Sequence, residues 1–523
     1  MFVTVWTHHT KEKKGGSQLK SPRTDWPVVF ISGGVLILFV ILSWINMDFL
    51  ERFVNDSFAW SANYFGAFWQ LLVLAFFAVT IVMACSRLGR VKLGMLDKPE
   101  TGYFKWISMI MCTLLASGGV FWAAAEPMFH YMEQPPMLPE AEAGSPFNVY
   151  NALAQSFLDW GFLAWTILGT LSTVVVMYGH YHKGMPLKPR TLFYPMFGKK
   201  IMEKNNVFGI LVDAFSIIAV AAGTIGPIGL LGLQAAYGFE SLFGVPNEYW
   251  TQALIIFGLV AISAISAATG IYKGIQLLSV LNIVGTLVLV VLMLVLGPAG
   301  FIIDSFLGGY GVYLREFFNL SLYRGDKAWL SLWTVFFWGW FLGYAPMMAI
   351  FIGRISRGRT IRQLFVAVAI IAPLVSNFWF TIVGGSGIFY EQQNEGSVTG
   401  ALLEGGMPAA MISIVEQVPF GTVLAFAFLL VTILFVATTV DSMSYTIAAS
   451  VTGLSDPPKF MRIFWALTMG AVAVVLLNLG ENSVNSIQSF IVVTAVPVSL
   501  ILLPSLWLAP QVAKKMAKEQ GIQ

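Results

Sequence analysis

The stretch WLSLWTVFFWGWFLGYAPMMAIFIGRISRGRTIRQL, Trp329 to Leu364, changes character halfway along its length. Its first sixteen residues hold eight aromatics, and its second half carries Arg354, Arg357, Arg359 and Arg362 with no acid among them. An apolar segment of this length suits a bilayer, and the basic loop after it marks the end that stays in the cytoplasm. Rings packed into such a helix also offer faces to an organic cation.

The rest of the chain agrees. Only 11% of residues are charged and 57% are hydrophobic, whereas soluble domains carry about 25% charged residues. The sequence therefore predicts an all-α polytopic membrane protein with no room for a soluble catalytic domain. The net charge of +3 implies no nucleic-acid partner, because the basic residues are sorted by membrane side. Cys85 and Cys112 fall in apolar segments and read as reduced packing residues. His180 and His182 are spaced poorly for a metal site.

Twelve transmembrane spans are expected, at 27–46, 64–86, 103–127, 149–178, 208–237, 249–271, 276–302, 328–352, 363–390, 420–452, 461–478 and 485–509. With both termini in the cytoplasm, 26 of the 30 Lys and Arg lie on that side; Arg52, Arg315, Arg324 and Lys327 are the exceptions. Of the 27 acids, 16 lie outside. A missed span would scramble this sorting, so the positive-inside asymmetry supports the count. The chain then divides into an N-terminal tail (1–26), two leading spans (27–102), a five-span unit (103–302), an interfacial connector (303–327), a second five-span unit (328–509) and a short cytoplasmic tail (510–523).

Spans 3 and 8 carry backbone-loosening residues: Gly118-Gly119 and Glu126-Pro127 in the first, Gly339, Gly343 and Pro346 in the second. Unwound backbone in a bilayer must face protein or a water-filled cavity, and interruptions five spans apart suggest inverted repeats around a midplane site. The alternative is that these glycines serve close helix packing. On span 8, Phe337, Trp340, Phe341 and Tyr344 share one helical face, and span 4 adds Trp160 and Trp165. A quaternary ammonium has no hydrogen-bond donors, and a desolvated ring contact is worth about 2 kcal/mol to it. An interfacial aromatic belt explains Trp329 better than it explains the mid-span Trp340 and Phe341.

Span 10 reads FVATTVDSMSYT, with Thr438, Thr439 and Asp441. Paired hydroxyls and freed carbonyls suit a sodium ion, although Thr in a membrane helix also bonds back to its own backbone. Asp159, Asp213 and Asp441 are ionisable residues within spans and so are functional candidates by default. Asp159, directly before Trp160, reads as a counter-charge, a proton carrier, or a residue of the outer half of its helix.

These residues resemble a family. Trp338-Gly-Trp340 followed by Arg354-Ile-Ser-Arg357-Gly-Arg359-Thr-Ile-Arg362 looks like the signature of the betaine/choline/carnitine transporters. The resemblance runs from span 1 to span 12 and includes Glu126-Pro127, the Lys273-Gly274-Ile275-Gln276 loop, Gly384-Gly385 and the Thr-Thr-x-Asp of span 10. It implies a sodium-symporter-like fold with inverted repeats of spans 3–7 and 8–12, a homotrimer in the bacterial inner membrane, and import of an onium compound by alternating access. It implies no enzymatic activity and no cofactor beyond a coupling sodium ion. Carried over residue by residue, the substrate site comprises Trp340, Phe341, Tyr344, Trp160, Trp165 and Gly118, and the ion positions are Thr438, Thr439 and Thr224.

The sequence departs from the family pattern in several places. Phe341 and Tyr344 stand where the span-8 box usually has indoles, Leu168 replaces a span-4 aromatic, and Leu114 and Ala116 replace two span-3 glycines. These changes leave the cargo open among betaine, choline, carnitine and a sulfonium relative. At a second proposed sodium position, Thr224 has Val220 one turn earlier, which lacks a hydroxyl. Sodium-independent exchangers of the family place a basic side chain near the sodium position, where this chain offers Asn282. Sodium coupling is therefore expected first, proton coupling second and exchange third.

Overall fold

The computed structural model describes residues 24–522, except 115–117, 270–273, 455–456 and 480–482. Among them the secondary structure is helical, apart from one isolated bridge between Lys92 and Thr360. Ten helices are long and apolar enough to cross a membrane, and the bent pair Leu281–Leu296 and Ala299–Arg315, turned by 103°, makes up to eleven. The protein is thus an all-α, multi-pass membrane protein. The third expected span is described as Tyr103–Leu114 and, beyond residues 115–117, as the π-turn Gly118–Trp122 running into Ala123–Met132.

The breaks do not all fall where the sequence suggested. Span 8 is helical from Thr334 to Ile355, straight through Gly339, Gly343 and Pro346; its break lies earlier, at Trp333. The glycines serve packing instead. A Cβ at Gly339 would sit 2.9 Å from the Trp69 ring, and one at Gly343 would lie against Ala219. Small residues at such crossings let helices approach in a bilayer, where apolar burial alone does not drive association.

Span 4, expected to be continuous, is also interrupted. Pro146–Asp159 ends, Trp160 and Gly161 follow outside helical geometry, and the chain resumes as Phe162–Gly169 and Leu171–Met177. Only glycine fits at 161: a Cβ there would stand 1.9 Å from the Phe157 carbonyl oxygen and 2.8 Å from the Tyr313 hydroxyl. The expected interfacial connector begins as the helix Ala299–Arg315, which packs along Pro146–Asp159.

The arginine loop proves to be a clamp. Arg362 donates from Nε to the Ala84 carbonyl at 2.7 Å and from Nη2 to the Ser86 carbonyl at 3.1 Å, closing the C-terminal end of span 2. Free carbonyls at a helix end attract cations. Arg359, 2% exposed, lies over the rings of Tyr103 and Trp106 and donates to the Thr101 carbonyl. Arg357 pairs with Glu100 at 2.8 Å. On the same face, Arg190 binds Asp213 and Asp25, which gives Asp213 a structural partner.

The stretch expected as a tail from 510 onward begins inside the helix Ser505–Glu519, whose end docks on neighbouring loops. Gln520 exchanges two hydrogen bonds with the Lys92 backbone, and Glu519 contacts His182 at 2.9 Å and Lys183 at 3.2 Å. His180 instead bonds the Met185 carbonyl, so the two histidines have separate partners.

Span 9 meets span 3 at a second close approach. The π-turn Thr381–Gly385 brings Gly384 so near Pro127 that a Cβ would lie 2.5 Å from Pro127 Cγ. Gly384→Val is expected to destabilise the protein by about 1–3 kcal/mol through overpacking, read as a lower thermal midpoint of the purified protein in detergent. An unchanged midpoint would show that these two helices move apart without cost.

Candidate functional site

The span 4 break sets the Trp160 ring against span 8. Trp160 meets Trp340 edge-on at 6.0 Å and Phe341 at 5.2 Å between ring centroids, and Phe337 closes in at 5.2 Å. Trp340 and Phe341 lie parallel within 6° at 5.9 Å, and Phe380 of span 9 covers Trp160 from another side. Trp160 and Trp340 are 2% and 3% exposed, so this is a sealed, water-poor ring cluster. Edge-to-face and offset contacts are the favoured geometries of aromatic pairs.

Each indole is held by its nitrogen. Trp160 Nε1 donates to Glu126 Oε2 at 2.7 Å, and Trp340 Nε1 donates to the Gly223 carbonyl at 3.2 Å. Gly223 also makes room for Tyr344, whose ring would stand 2.3 Å from a Cβ at 223. The Tyr344 hydroxyl shares a 3.2 Å hydrogen bond with Thr224 Oγ1. Span 5 therefore positions two of the expected box residues through its small backbone at Gly223.

The remaining candidates divide. Trp165 is buried one helix beyond the break, outside the ring cluster joined by Trp160. Gly118 opens the π-turn Gly118–Trp122, and its immediate surroundings lie outside the described residues, as does Lys273. Thr224 donates back to the Val220 carbonyl at 2.7 Å, so its hydroxyl serves its own helix and Tyr344. Thr438 bonds back to the Leu434 carbonyl at 2.8 Å while its oxygen accepts from Asn282 Nδ2 at 3.3 Å. Thr439 is buried beside it. Asp441 is already paired: its Oδ1 accepts from Arg462 Nη2 at 2.6 Å, and its Oδ2 accepts from Ser266 at 2.7 Å. Both members of that ion pair are 1% exposed.

Sequence reasoning did not assign Phe337 and Phe380 as partners of Trp160, and it read Glu126 only as a helix-end residue. His130, four residues after Glu126, sits with Glu126 and Asp159 in one buried cluster. The spacing of Glu126 and His130 was a usable signal; the approach of Asp159 from another helix was not.

In many membrane transporters, substrate sites are formed where discontinuous helices meet near the midplane. A model of the betaine/carnitine/choline transporter family matches residues 27–518, and the chain belongs to that family. It is 50% identical over 506 residues to "Glycine betaine transporter 2" of Vibrio parahaemolyticus, covering 97% of this chain and 93% of that one. It is 31% identical to the "Ectoine/hydroxyectoine transporter" of Virgibacillus pantothenticus, with 91% and 94% covered. It is 29% identical to "Glycine betaine transporter OpuD" of Bacillus subtilis, with 91% of each chain covered.

The Asp441–Arg462 pair yields a direct prediction. Breaking a buried pair leaves an uncompensated charge, at a cost of about 3–5 kcal/mol. Asp441→Ala should therefore lower the thermal midpoint sharply, and Arg462→Met in the same chain should recover much of the loss. Equal midpoints for the single and double variants would mean that the pair carries no charge balance.

Proposed function

We propose that the protein is a secondary active transporter that imports a trimethylammonium zwitterion of the glycine betaine kind, coupled to sodium. The ring cluster of Trp160, Trp340 and Phe341 carries this reading. A group without hydrogen-bond donors is held by aromatic faces, and desolvated rings bind it far better than exposed ones. The relative at 50% identity, named as a glycine betaine transporter, favours that cargo over choline or carnitine. Tyr344, linked to Thr224, adds a hydroxyl at the edge of the box where an indole would offer only a ring and an N–H.

Thr438 and Thr439 are the proposed sodium ligands. The Thr438 oxygen keeps lone-pair capacity beyond its contact with Asn282, and that neutral amide brings no full positive charge to repel a cation. One charge moving inward gains about 2.3 kcal/mol per 100 mV, and a tenfold sodium gradient adds about 1.4 kcal/mol. One sodium ion per cycle is thus enough to concentrate a zwitterion several hundredfold, on the order of the two terms together. Alternating access by inverted repeats of spans 3–7 and 8–12, a homotrimeric assembly, and a bacterial cytoplasmic membrane with both termini inside complete the proposal. The sorting of Lys and Arg supports that orientation.

In proteoliposomes, Trp340→Ala should lower the affinity for glycine betaine roughly thirtyfold, the value of about 2 kcal/mol. Trp160→Ala should weaken uptake more mildly. Normal uptake by both variants at limiting substrate would remove the aromatic site from consideration.

Replacing external sodium with potassium should abolish concentrative uptake, and Thr438→Ala with Thr439→Ala should raise the sodium concentration needed for half-maximal rate. Full uptake without sodium would rule out the coupling assignment while leaving the cargo assignment intact.

A further inference from the structure

Behind Trp160 lies a polar cluster that the ring site does not use. Glu126 and His130 are one turn apart on Ala123–Met132, Asp159 ends Pro146–Asp159, and all three are 0% exposed. One oxygen or nitrogen from each lies within 4.8 Å of the others. The partners of the two carboxyl groups are all without positive charge: Glu126 Oε2 accepts from Trp160, Asp159 Oδ2 accepts from Gln155 Nε2 at 2.8 Å, Ser156 and Thr334 lie beside them, and the two carboxyl groups face each other. Glu126 Oε1, Asp159 Oδ1 and both ring nitrogens of His130 have no hydrogen-bond partner. His130 Nε2 stands 3.8 Å from Glu126 Oε1, too far for a hydrogen bond.

Among the described residues no Lys or Arg pairs with either carboxylate. The neighbouring elements offer little else. The Ala299–Arg315 helix presents Tyr313, whose hydroxyl lies by the Phe162 backbone, and Tyr310, which is bonded to Asn377; its end pair, Arg315 and Glu316, bind each other. Span 9 brings Tyr390 and Glu391, the latter already accepting from Gly396, Val398 and Thr399. Tyr131 follows His130 on the same helix; Lys327 and Glu416 lie at exposed ends of the helices they share with Trp329 and Met411.

Two carboxyl groups and an imidazole, buried away from bulk solvent and without a Lys or Arg partner, demand a positive charge from elsewhere. The His130 ring is packed 4.4 Å from the Trp333 ring and 5.7 Å from that of Trp329. That packing suits a proton, which needs no cavity, over a hydrated ion. The site is also tied to the ring cluster, because the Glu126 oxygen that holds Trp160 belongs to it.

We propose that Glu126, His130 and Asp159 form a proton site, and that a proton there and an onium group among the rings oppose each other's binding. The second half rests on the ring cluster being the onium site; the first does not. A unit charge about one ring-width away in a site of low dielectric is worth on the order of tenfold in affinity. Linkage is reciprocal, so onium binding must expel protons to the same degree.

The test uses the full-length protein in nanodiscs. Infrared difference spectra between acid and alkaline pH should show a buried protonated-carboxyl band that Glu126→Gln and Asp159→Asn each diminish. Glycine betaine should bind about tenfold more weakly at acid than at alkaline pH, and Asp159→Asn should flatten that profile. Adding glycine betaine to the weakly buffered wild-type protein should release protons to a pH dye, a readout that needs no variant. A carboxyl band unchanged in both variants overturns the proton site. Absence of proton release with glycine betaine bound overturns the antagonism. A pH profile that chelator treatment abolishes shows a metal ion instead and overturns the proposal. If glycine betaine fails to bind at any pH, the cargo assignment and the antagonism fall, and the infrared result alone decides the proton site.

Discussion

The hydrogen bond from Trp160 Nε1 to Glu126 Oε2 joins the two halves of the inner architecture. Trp160 sits where span 4 loses its helical geometry, and a ring at such a point is free to swing unless something fixes it. A hydrogen bond in a dry interior is stronger than the same bond in water. Through it, the helix after the span 3 π-turn sets the orientation of the ring that faces Trp340 and Phe341. Gly161 is the necessary companion: with no Cβ it lets the chain turn under the Phe157 carbonyl and the Tyr313 hydroxyl.

The surrounding helices are arranged so that this junction is pressed from all sides. Glycines do this at three crossings: Gly223 under Tyr344, Gly339 under Trp69 and Gly384 under Pro127. In lipid, the packing of small residues and a few polar bonds does what apolar burial does in water. The basic loop serves the same end at a distance. Arg362 seals the carbonyl end of span 2, Arg359 lies on the rings at the start of span 3, and Arg357 binds Glu100. The most diagnostic motif of the sequence is thus a structural clamp that holds spans 2, 3, 8 and 9 in register at one face.

The legible parts of the chain were those with a one-dimensional signature. Apolar length and the sorting of Lys and Arg marked most spans, because the bilayer imposes both locally. The spacing of Phe337, Trp340 and Phe341 placed them on one face, since helical periodicity alone decides that. The breaks were misread because glycine has two uses that look alike in sequence. Gly339 and Gly343 make room for Trp69 and Ala219 within an unbroken helix, whereas Gly161, unremarked beside Trp160, permits a real break. Asp441 likewise had a partner, Arg462, on a different helix, and no periodicity announces a pair that forms across helices.

Two kinds of polar group in the membrane can now be told apart by what surrounds them. Asp213 and Asp441 each meet an arginine, and their charges are spent on holding helices together. Asp159 and Glu126 meet an amide, an indole, hydroxyl groups and each other, none of which supplies a positive charge. A buried carboxylate that is fully paired in one arrangement gains little from a ligand, since the desolvation cost is already offset. One that keeps an unpartnered oxygen retains that cost until something positive arrives. The difference lies in the partners rather than in depth, for all four acids are buried. It separates the acids that fix the scaffold from those whose electrostatics depend on what the protein binds.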